Sequence, residues 1–383
     1  MKINKKMIYV LKKSVIIKLL INLFFFLTYF LKNFIEFKKI ENYLKFCTNI
    51  KQSKVEKFQK FEFPKISIIS PVYNRNKYLL RFITSIQNQT FKNIEIIFID
   101  DCSSDNSVEI IKEFQKEDER ILLIEHRRNK GTFISRNIGV LYSRGQYIIL
   151  PDPDDILSQN ILKICYNIVK RYNYEMIRFN IYTGNSNIFV NDIIKGLKEK
   201  PIYQPQLSTY LFYGKGNLCQ IDFNISNKFI KKEAYVRALN FLKQYYLNLY
   251  LVSYEDGIMN YILFRTVKSF IFIKRIGYFY LINNESITMN ILNIAKQNLK
   301  FMFIYLKVVF EYSKNTEYEK DMANYLLNDL SNNFNIANNL LFLNKDIKFY
   351  YDIINMYINC KFITDKNKNI LKNFTKILKK RKF

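Results

Sequence analysis

The sequence predicts an α/β protein built on a mostly parallel sheet with helices on both faces. Four short apolar runs, at 65–70, 94–99, 121–125 and 146–150, have the length of buried strands. Segments with helical spacing separate them. Such strand–helix alternation is typical of a parallel sheet, in which ligands bind at the carboxyl ends of the strands. Polar clusters follow three of the four runs, so the pattern places a binding site at that edge.

The three separating segments are predicted to be helices. They lie at 77–88, 103–114 and 131–145. The first and third have apolar residues on one helical face, and the second begins with serine, aspartate and asparagine, which can cap a helix. Further along the chain, 176–182 and 270–282 are predicted strands, and 226–250 and 254–265 are predicted helices. From residue 294 onward the pattern predicts a helical C-terminal extension.

Composition and charge exclude several classes of site. Lysine and arginine number 60 against 33 acidic residues, which gives a net charge of +27. The basic residues are scattered and form no known nucleic-acid-binding module, so we expect no nucleic-acid partner. The five cysteines include no CxxC pair, and His126 is the single histidine. Neither a zinc site nor a disulfide framework is therefore indicated.

Residues 14–31 form an apolar run, SVIIKLLINLFFFLTYFL, preceded by several lysines. The run is at the lower limit for a helix that spans a bilayer, and Ser14, Lys18 and Asn22 share one helix face. Three alternatives follow: a membrane span with the N-terminus in the cytosol, a helix in the membrane interface, or a soluble helix or signal. The first two predict a membrane-associated protein.

Four Asn-x-Ser/Thr sequons bear on localisation, at 88–90, 224–226, 284–286 and 373–375. They fit a single-pass protein with its domain in the endoplasmic reticulum or Golgi lumen. In an asparagine-rich chain they also arise by chance, and a cytoplasmic face stays open.

The acidic group Asp152-Pro153-Asp154-Asp155 follows the fourth predicted strand. In an extended segment Asp152 and Asp154 face the same side. Two such carboxylates suit a magnesium or manganese ion, which would neutralise a diphosphate as its bond to a sugar breaks. The alternative is a polar turn that caps the next helix.

Three further groups carry possible chemistry. Asp100 and Asp101, at the end of the second strand, can accept hydrogen bonds from a base or ribose, or can cap a helix. Arg136 suits phosphate oxygens, or lies on the surface. Glu255 and Asp256 begin a helix, where the helix dipole favours acids, and one of them could serve as a general base.

Together these segments closely resemble glycosyltransferase family 2, inverting enzymes with the A-type, Rossmann-like nucleotide-sugar-binding fold. The resemblance is close over about 65–160 and weaker to about 285. The matching segments are ISIISPVYNRNKYLLRFITSIQNQTF, IEIIFIDDCSSDNSVEII, NKGTFISRNIGVLYSRGQYIILPDPDDIL and YEDGIMNYILF.

On the donor side, the resemblance implies that Pro71 and Tyr73 border the nucleobase and that Asp101 binds it. That base is usually uracil in the family. Arg136 would approach the base or the diphosphate. These roles imply a nucleotide-sugar donor, most commonly a UDP-sugar.

On the reaction side, the resemblance implies that Asp152 holds the ribose or assists the metal, which Asp154 binds directly. Asp256 would be the catalytic base, with Glu255 supporting it. Pro151 departs from the small or apolar residues that the family often has there, which leaves the role of Asp155 open.

The resemblance thus implies a manganese- or magnesium-dependent glycosyltransferase, with a glycan, lipid or protein acceptor that the sequence does not identify. Two alternatives stay open: an inactive membrane-anchored nucleotide-sugar-binding protein, and a nucleotidyltransferase. The latter needs a basic, glycine-rich loop after the first strand, and SPVYNRNKY has no glycine.

The predicted domain division has three parts. Residues 1–62 would form the N-terminal membrane helix and a stem. Residues 63–290 would form the glycosyltransferase domain, with a nucleotide-binding part at about 65–160 and an acceptor part at about 161–290. Residues 291–383 would form the C-terminal extension.

Overall fold

The computed structural model divides the chain into two units, 1–49 and 50–383. The described residues are 50–52, 64–183, 200–204, 212–213, 220–221, 224–242, 249–281, 291–312, six single positions between 324 and 359, and 363–380. The predicted membrane helix at 14–31 lies outside them. Within the described residues, no helix has the length and apolar character needed to cross a bilayer.

The described helices are eight in number and follow one another along the second unit. They are α1 (Asn76–Gln87), α2 (Ser107–Glu117), α3 (Thr132–Tyr142), α4 (Ile161–Tyr172), α5 (Lys232–Phe241), α6 (Glu255–Thr266), α7 (Ile291–Tyr312) and α8 (Asp365–Lys380).

The strands that the structure describes form one large sheet and one small hairpin. They are β1 (Ile50–Gln52), β2 (Ile66–Val72), β3 (Ile94–Asp100), β4 (Ile121–His126), β5 (Tyr147–Ile149), β6 (Ile156–Leu157), β7 (Met176–Thr183), β8 (Ile202–Tyr203), β9 (Phe212–Tyr213), β10 (Gln220–Ile221), β11 (Lys228–Lys231) and β12 (Ser269–Tyr280).

The four strands predicted at the start of the folded region are confirmed as β2 to β5. They pair in parallel in the order β4-β3-β2-β5. Strands β2 and β3 are buried at every position, as expected of strands covered on both faces. The predicted strands near 176–182 and 270–282 are confirmed as β7 and β12, which also pair in parallel.

Beyond β5 the sheet is mixed, so the prediction of a mostly parallel sheet is wrong for that half. Strand β11 lies between β5 and β7 and is antiparallel to both. Residues 228–231 lie in the predicted helix at 226–250 but form this strand, and among the described residues of that range only α5 is helical. Lys228, Phe229 and Ile230 are all fully buried, which suits a central strand.

Helices cover both faces of the parallel half, as predicted. On one face Ile66 and Ile68 pack in a core that includes Leu79 and Phe82 of α1. On the other face α3 lies against β2 and β3. A Cβ on Gly139 would approach the Ile69 side chain to 2.3 Å, so only glycine permits this contact of helix and sheet.

The order of the strands in the sheet determines where the acidic residues 152–155 lie. It leaves β5 in the middle of the sheet, and β6 pairs with β12 near the far edge. Residues 150–155 therefore pass over the ends of β11 and β7. Because β11 is antiparallel, its amino end and the preceding turn at 224–227 lie at the same edge of the sheet.

Candidate active site

The loops after β2 and β3 are joined by hydrogen bonds at the carboxyl edge of the sheet. The backbone N–H of Asn74 donates to Ser103 Oγ (3.0 Å), and Ser104 N–H donates to Asn74 Oδ1 (2.8 Å). Arg75 N–H donates to Ser107 Oγ (2.9 Å) at the start of α2. Two of the predicted polar clusters thus form one rigid platform.

Tyr73 lies in the loop directly after β2, which forms part of this platform, and Pro71 lies in β2 itself. The Tyr73 side chain is 47% exposed, so its ring is free to stack on a planar ligand. Pro71 is buried in β2 opposite Ile99. Its missing N–H is tolerated because β5 pairs with β2 only as far as Ile68. Tyr73, not Pro71, is the accessible member of the predicted pair.

Asp101 is buried, and its carboxylate oxygens accept hydrogen bonds from inside the protein. Oδ1 accepts from Lys130 N (2.7 Å) and Oδ2 accepts from Gly131 N (2.8 Å). Oδ1 also lies 2.9 Å from Nδ1 of His126, which is 4% exposed. In this structure Asp101 therefore holds the turn before α3, and His126 is part of that arrangement.

Gly131 is required in this turn for two reasons. Its φ of +85° lies where side chains are strained, and a Cβ there would approach the Leu251 carbonyl oxygen to 2.6 Å. The segment that leads to α6 is thereby packed directly on the turn that Asp101 holds. The turn predicted to lie beside the donor and the segment before the predicted catalytic helix are in contact at this point.

Arg136 of α3 connects the predicted metal-binding and catalytic acids. Its Nη2 donates to Asp152 Oδ1 (2.5 Å), and its Nη1 donates to Asp256 Oδ1 and to Glu255 Oε1 (3.3 Å). The guanidinium is 5% exposed. Its Nε has no hydrogen-bond partner among the described residues. Three carboxylates thus surround one buried cation, and the surface alternative for Arg136 is excluded.

The turn at 224–227 supports the same two acids from the other side. Ser226 Oγ donates to Asp152 Oδ2 (3.0 Å), and Ile225 N–H donates to Asp256 Oδ2 (3.3 Å). Asp152 and Asp256 are therefore each held by Arg136 and by this turn. Their carboxylates have a fixed relative position.

Glu255 and Asp256 occupy the first turn of α6, where the helix dipole stabilises negative charge. Burial and the charge of Asp256 raise the pKa of Glu255 to about 7, against the opposing effect of Arg136. Burial also raises the pKa of Asp256, again against Arg136. The Asp256 side chain is 24% exposed and that of Glu255 is 10% exposed, so Asp256 is the more accessible acid.

Asp154 lies beside two arginines, Arg75 and Arg81, that no sequence motif marks as site residues. Arg75 Nε is 3.6 Å from Asp154 Oδ2, and Arg81 Nη2 donates to the Asp154 carbonyl oxygen (2.5 Å). Both arginines come from the loop and helix that follow β2. They add positive charge next to the acidic loop, where a diphosphate would also need it.

The residues present fit a divalent cation with two protein carboxylates. Asp152 and Asp154 bring two carboxylates into the same loop, and burial, followed by the charges of these two acids, raises the pKa of Asp155 to about 8. No group of three His, Cys, Asp or Glu residues suited to a metal occurs among the described residues. Magnesium is commonly bound through one or two carboxylates, with substrate phosphates and water completing its shell.

Two supporting residues were missed by sequence reasoning, Ser226 and Tyr278. Asp152 N–H donates to Tyr278 Oη (3.0 Å), and Ser226 contacts the Asp152 carboxylate. Ser226 had been noted only as part of a sequon. Tyr278 lies in β12, 126 residues from Asp152 along the chain. No local motif marks either residue as part of this site, so only the folded structure could have identified them.

Part of the chain matches a known protein family. The model for "Glycosyl transferase family 2" matches residues 67–229. GlyG, a glycosyltransferase from Streptococcus pneumoniae, is 36% identical over 117 residues, which are 30% of this chain and 39% of GlyG. The chain thus spans well under two thirds of the length of this relative.

Solved structures with the same fold include two that carry nucleotides. S. aureus TarS 1–349 in complex with UDP has a TM-score of 0.56 and 15% identity, over 80% of this chain and 86% of that one. The mannosyltransferase PcManGT from Pyrobaculum calidifontis, in complex with GDP-Man and Mn²⁺, has a TM-score of 0.50 and 10% identity, over 90% and 89%. At these identities the likeness concerns the fold.

The fold, with its acidic loop across the carboxyl edge of a mixed sheet, is of the A-type glycosyltransferase class. Residues 67–229 form a glycosyltransferase domain of glycosyl transferase family 2.

Proposed function

We propose that this protein is an inverting glycosyltransferase that uses a UDP-sugar donor, a divalent metal ion and Asp256 as general base. One observation carries the proposal: Arg136 joins Asp152 of the acidic loop to Asp256 of α6. Asp152, which would help to bind the donor, and Asp256, which would take the proton, are therefore hydrogen-bonded to the same guanidinium.

The donor would bind at the carboxyl edge of β2 and β3. Tyr73 offers an exposed ring for the base, and Asp101 holds the turn beside it. The preference for uracil rests on the family resemblance and on TarS, which was solved with UDP. Arg75 and Arg81, next to Asp154, are positioned to compensate phosphate charge.

Asp152 and Asp154 would hold manganese or magnesium. PcManGT was solved with Mn²⁺ and GDP-Man, which supports this choice of ion. When bound, the ion would neutralise charge that develops on the departing diphosphate. Within the chain, Arg136 balances the charge of Asp152 before the donor binds.

Asp256 would take the proton from an acceptor hydroxyl. As the acceptor oxygen bonds to the anomeric carbon, the bond from that carbon to the diphosphate breaks, and the nucleoside diphosphate leaves from the opposite face. Arg136 and the Ile225 N–H hold the Asp256 carboxylate in place for this transfer. Glu255 would act through Arg136, which it shares with Asp256.

For the acceptor we propose only a chemical class, namely a glycan, a lipid or a protein. An acceptor at a membrane would follow if residues 14–31 associate with one, and those residues lie outside the described part of the chain.

A screen of UDP-sugars for Mn²⁺-dependent hydrolysis tests the proposal. Asp256→Asn should lower the rate about 100-fold or more, as expected when a general base is lost. Asp118→Asn is the matched control, because the side-chain partners of Asp118 among the described residues are Arg120 and Gln87, neither of which is a predicted site residue. Hydrolysis that is independent of metal, or unchanged in Asp256→Asn, would contradict the proposal. Binding without any turnover would favour the inactive alternative.

A further inference from the structure

The acidic loop is tied to strand β12 through Asp155. The Asp155 residue is 1% exposed. Its Oδ2 accepts a hydrogen bond from Tyr278 Oη (2.6 Å), and its Oδ1 accepts one from Leu281 N–H (2.9 Å). Both carboxylate oxygens are therefore engaged by donors of β12 and of the residue that follows it.

The Tyr278 hydroxyl also contacts Asp152. It accepts a hydrogen bond from the Asp152 backbone N–H (3.0 Å) while it donates to Asp155. A hydroxyl has one donor, so these two contacts fix its orientation. One oxygen atom thus links the backbone of one end of the acidic group to the side chain of the other.

Tyr278 is itself held rigidly. It is fully buried in β12, where it lies opposite Leu157 of β6 and Ile181 of β7. Next to it, Gly277 accepts a hydrogen bond from Ser158 N–H (3.0 Å). A Cβ on Gly277 would approach Phe179 to 2.4 Å, so β12 can pack here only through glycine. The anchor for the acidic loop is therefore part of the sheet.

We propose that Asp155 and Tyr278 are positioning residues that fix the backbone of Asp152 and so set the separation of the Asp152 and Asp154 carboxylates. Neither residue would touch the metal. The inference rests on the proposed function, because it concerns the cation that these two carboxylates would hold. Residues that orient metal ligands typically change metal affinity about 10-fold to 100-fold when they are removed.

The test measures Mn²⁺ binding directly, by electron paramagnetic resonance of free Mn²⁺ in the presence of UDP. Tyr278→Phe removes only the bridging oxygen. It should raise the Kd for Mn²⁺ about 10-fold or more, and Asp155→Asn should do the same. With saturating Mn²⁺, the kcat for UDP-sugar hydrolysis should return to near the wild-type value, because the ligands themselves are intact.

Tyr357→Phe is the matched control. Tyr357 is also fully buried, and its hydroxyl donates to the Leu306 carbonyl oxygen (2.6 Å). It should lose stability comparably to Tyr278→Phe, as judged by thermal unfolding, with an unchanged Kd for Mn²⁺. The same unfolding measurement identifies a variant that fails to fold. If either Tyr278→Phe or Asp155→Asn does not fold, Mn²⁺ binding by the other one decides the test.

The outcomes separate this inference from the proposed function. If wild-type protein with UDP binds no Mn²⁺, the metal dependence fails and the positioning role fails with it. If wild-type protein binds Mn²⁺ and folded Tyr278→Phe binds it equally well, the positioning role alone is overturned. If Asp155→Asn loses Mn²⁺ binding while Tyr278→Phe binds Mn²⁺ as wild type does, Asp155 would be a direct ligand. That result would also overturn the positioning role.

Discussion

The guanidinium of Arg136 donates a hydrogen bond to the carboxylate of Asp256, although 120 residues separate the two along the chain. The same guanidinium reaches Asp152 and Glu255. Desolvation opposes the charge of Arg136, and Asp256, Asp152 and Glu255 together outweigh it, so the pKa of Arg136 is raised. The positive charge of Arg136 therefore offsets the repulsion among these three neighbouring acids in the folded protein.

Removing that charge should destabilise the protein. We expect Arg136→Met to lower the free energy of unfolding by about 3 kcal/mol, at the low end of the range for a broken buried ion pair because two of the acids are partly exposed. Denaturant titration measures the change. The double variant Arg136→Met, Asp256→Asn should recover part of the loss, since one unpaired charge is gone. A loss below about 0.5 kcal/mol in the single variant would contradict this role.

Glu255 should make stability depend on pH. Its pKa is raised from 4.5 to about 7 in the folded protein, chiefly by burial. The folded state therefore holds the proton more tightly than the unfolded state, and this contribution to stability is lost as pH rises from about 4.5 through 7. Denaturant titrations of wild type and Glu255→Gln at pH 5 and pH 7.5 measure it. Glu255→Gln should gain stability relative to wild type at the higher pH; parallel changes in both proteins would refute the shift.

Cys102 occupies a conformation that suits glycine. Its φ is +69°, and its N–H donates to Asp100 Oδ2 (3.1 Å) in the loop beside the platform. Cys102→Gly should stabilise the protein by about 0.5 kcal/mol, since relief of the left-handed strain exceeds the entropy that glycine adds to the unfolded chain. Cys102→Ala is the control: it removes the thiol, keeps the Cβ, and should give no gain. Equal effects of the two variants on the unfolding temperature would assign the change to the thiol.

The parallel half of the fold could be predicted because its strands are covered on both faces. Runs such as IEIIFI are apolar throughout, and polar residues such as Asp100 begin where the strand ends. The local sequence alone is therefore sufficient to predict these strands. Strand β11 was missed because KFIK is short, begins and ends with lysine, and continues directly into α5.

The predicted site residues lie together, yet their contacts could not be read from the sequence. Arg136 was expected near a base or diphosphate, and the structure shows it among Asp152, Glu255 and Asp256. Asp101 was expected to bind the base, and in the structure its oxygens hold Lys130 and Gly131. These contacts depend on how α3 packs against α6 and on the turn before α3. Neither has a local sequence signal.

Isothermal titration of UDP into wild type and Asp154→Asn, with Mn²⁺ and after chelation, tests whether the acidic loop binds a divalent metal together with the donor. Wild type should bind UDP at least about tenfold more tightly with Mn²⁺, since the ion would join the diphosphate to Asp152 and Asp154. Asp154→Asn should bind UDP with the same weak affinity under both conditions. Wild-type affinity that does not change with metal, or a metal effect that persists in Asp154→Asn, would contradict metal-dependent donor binding at the acidic loop.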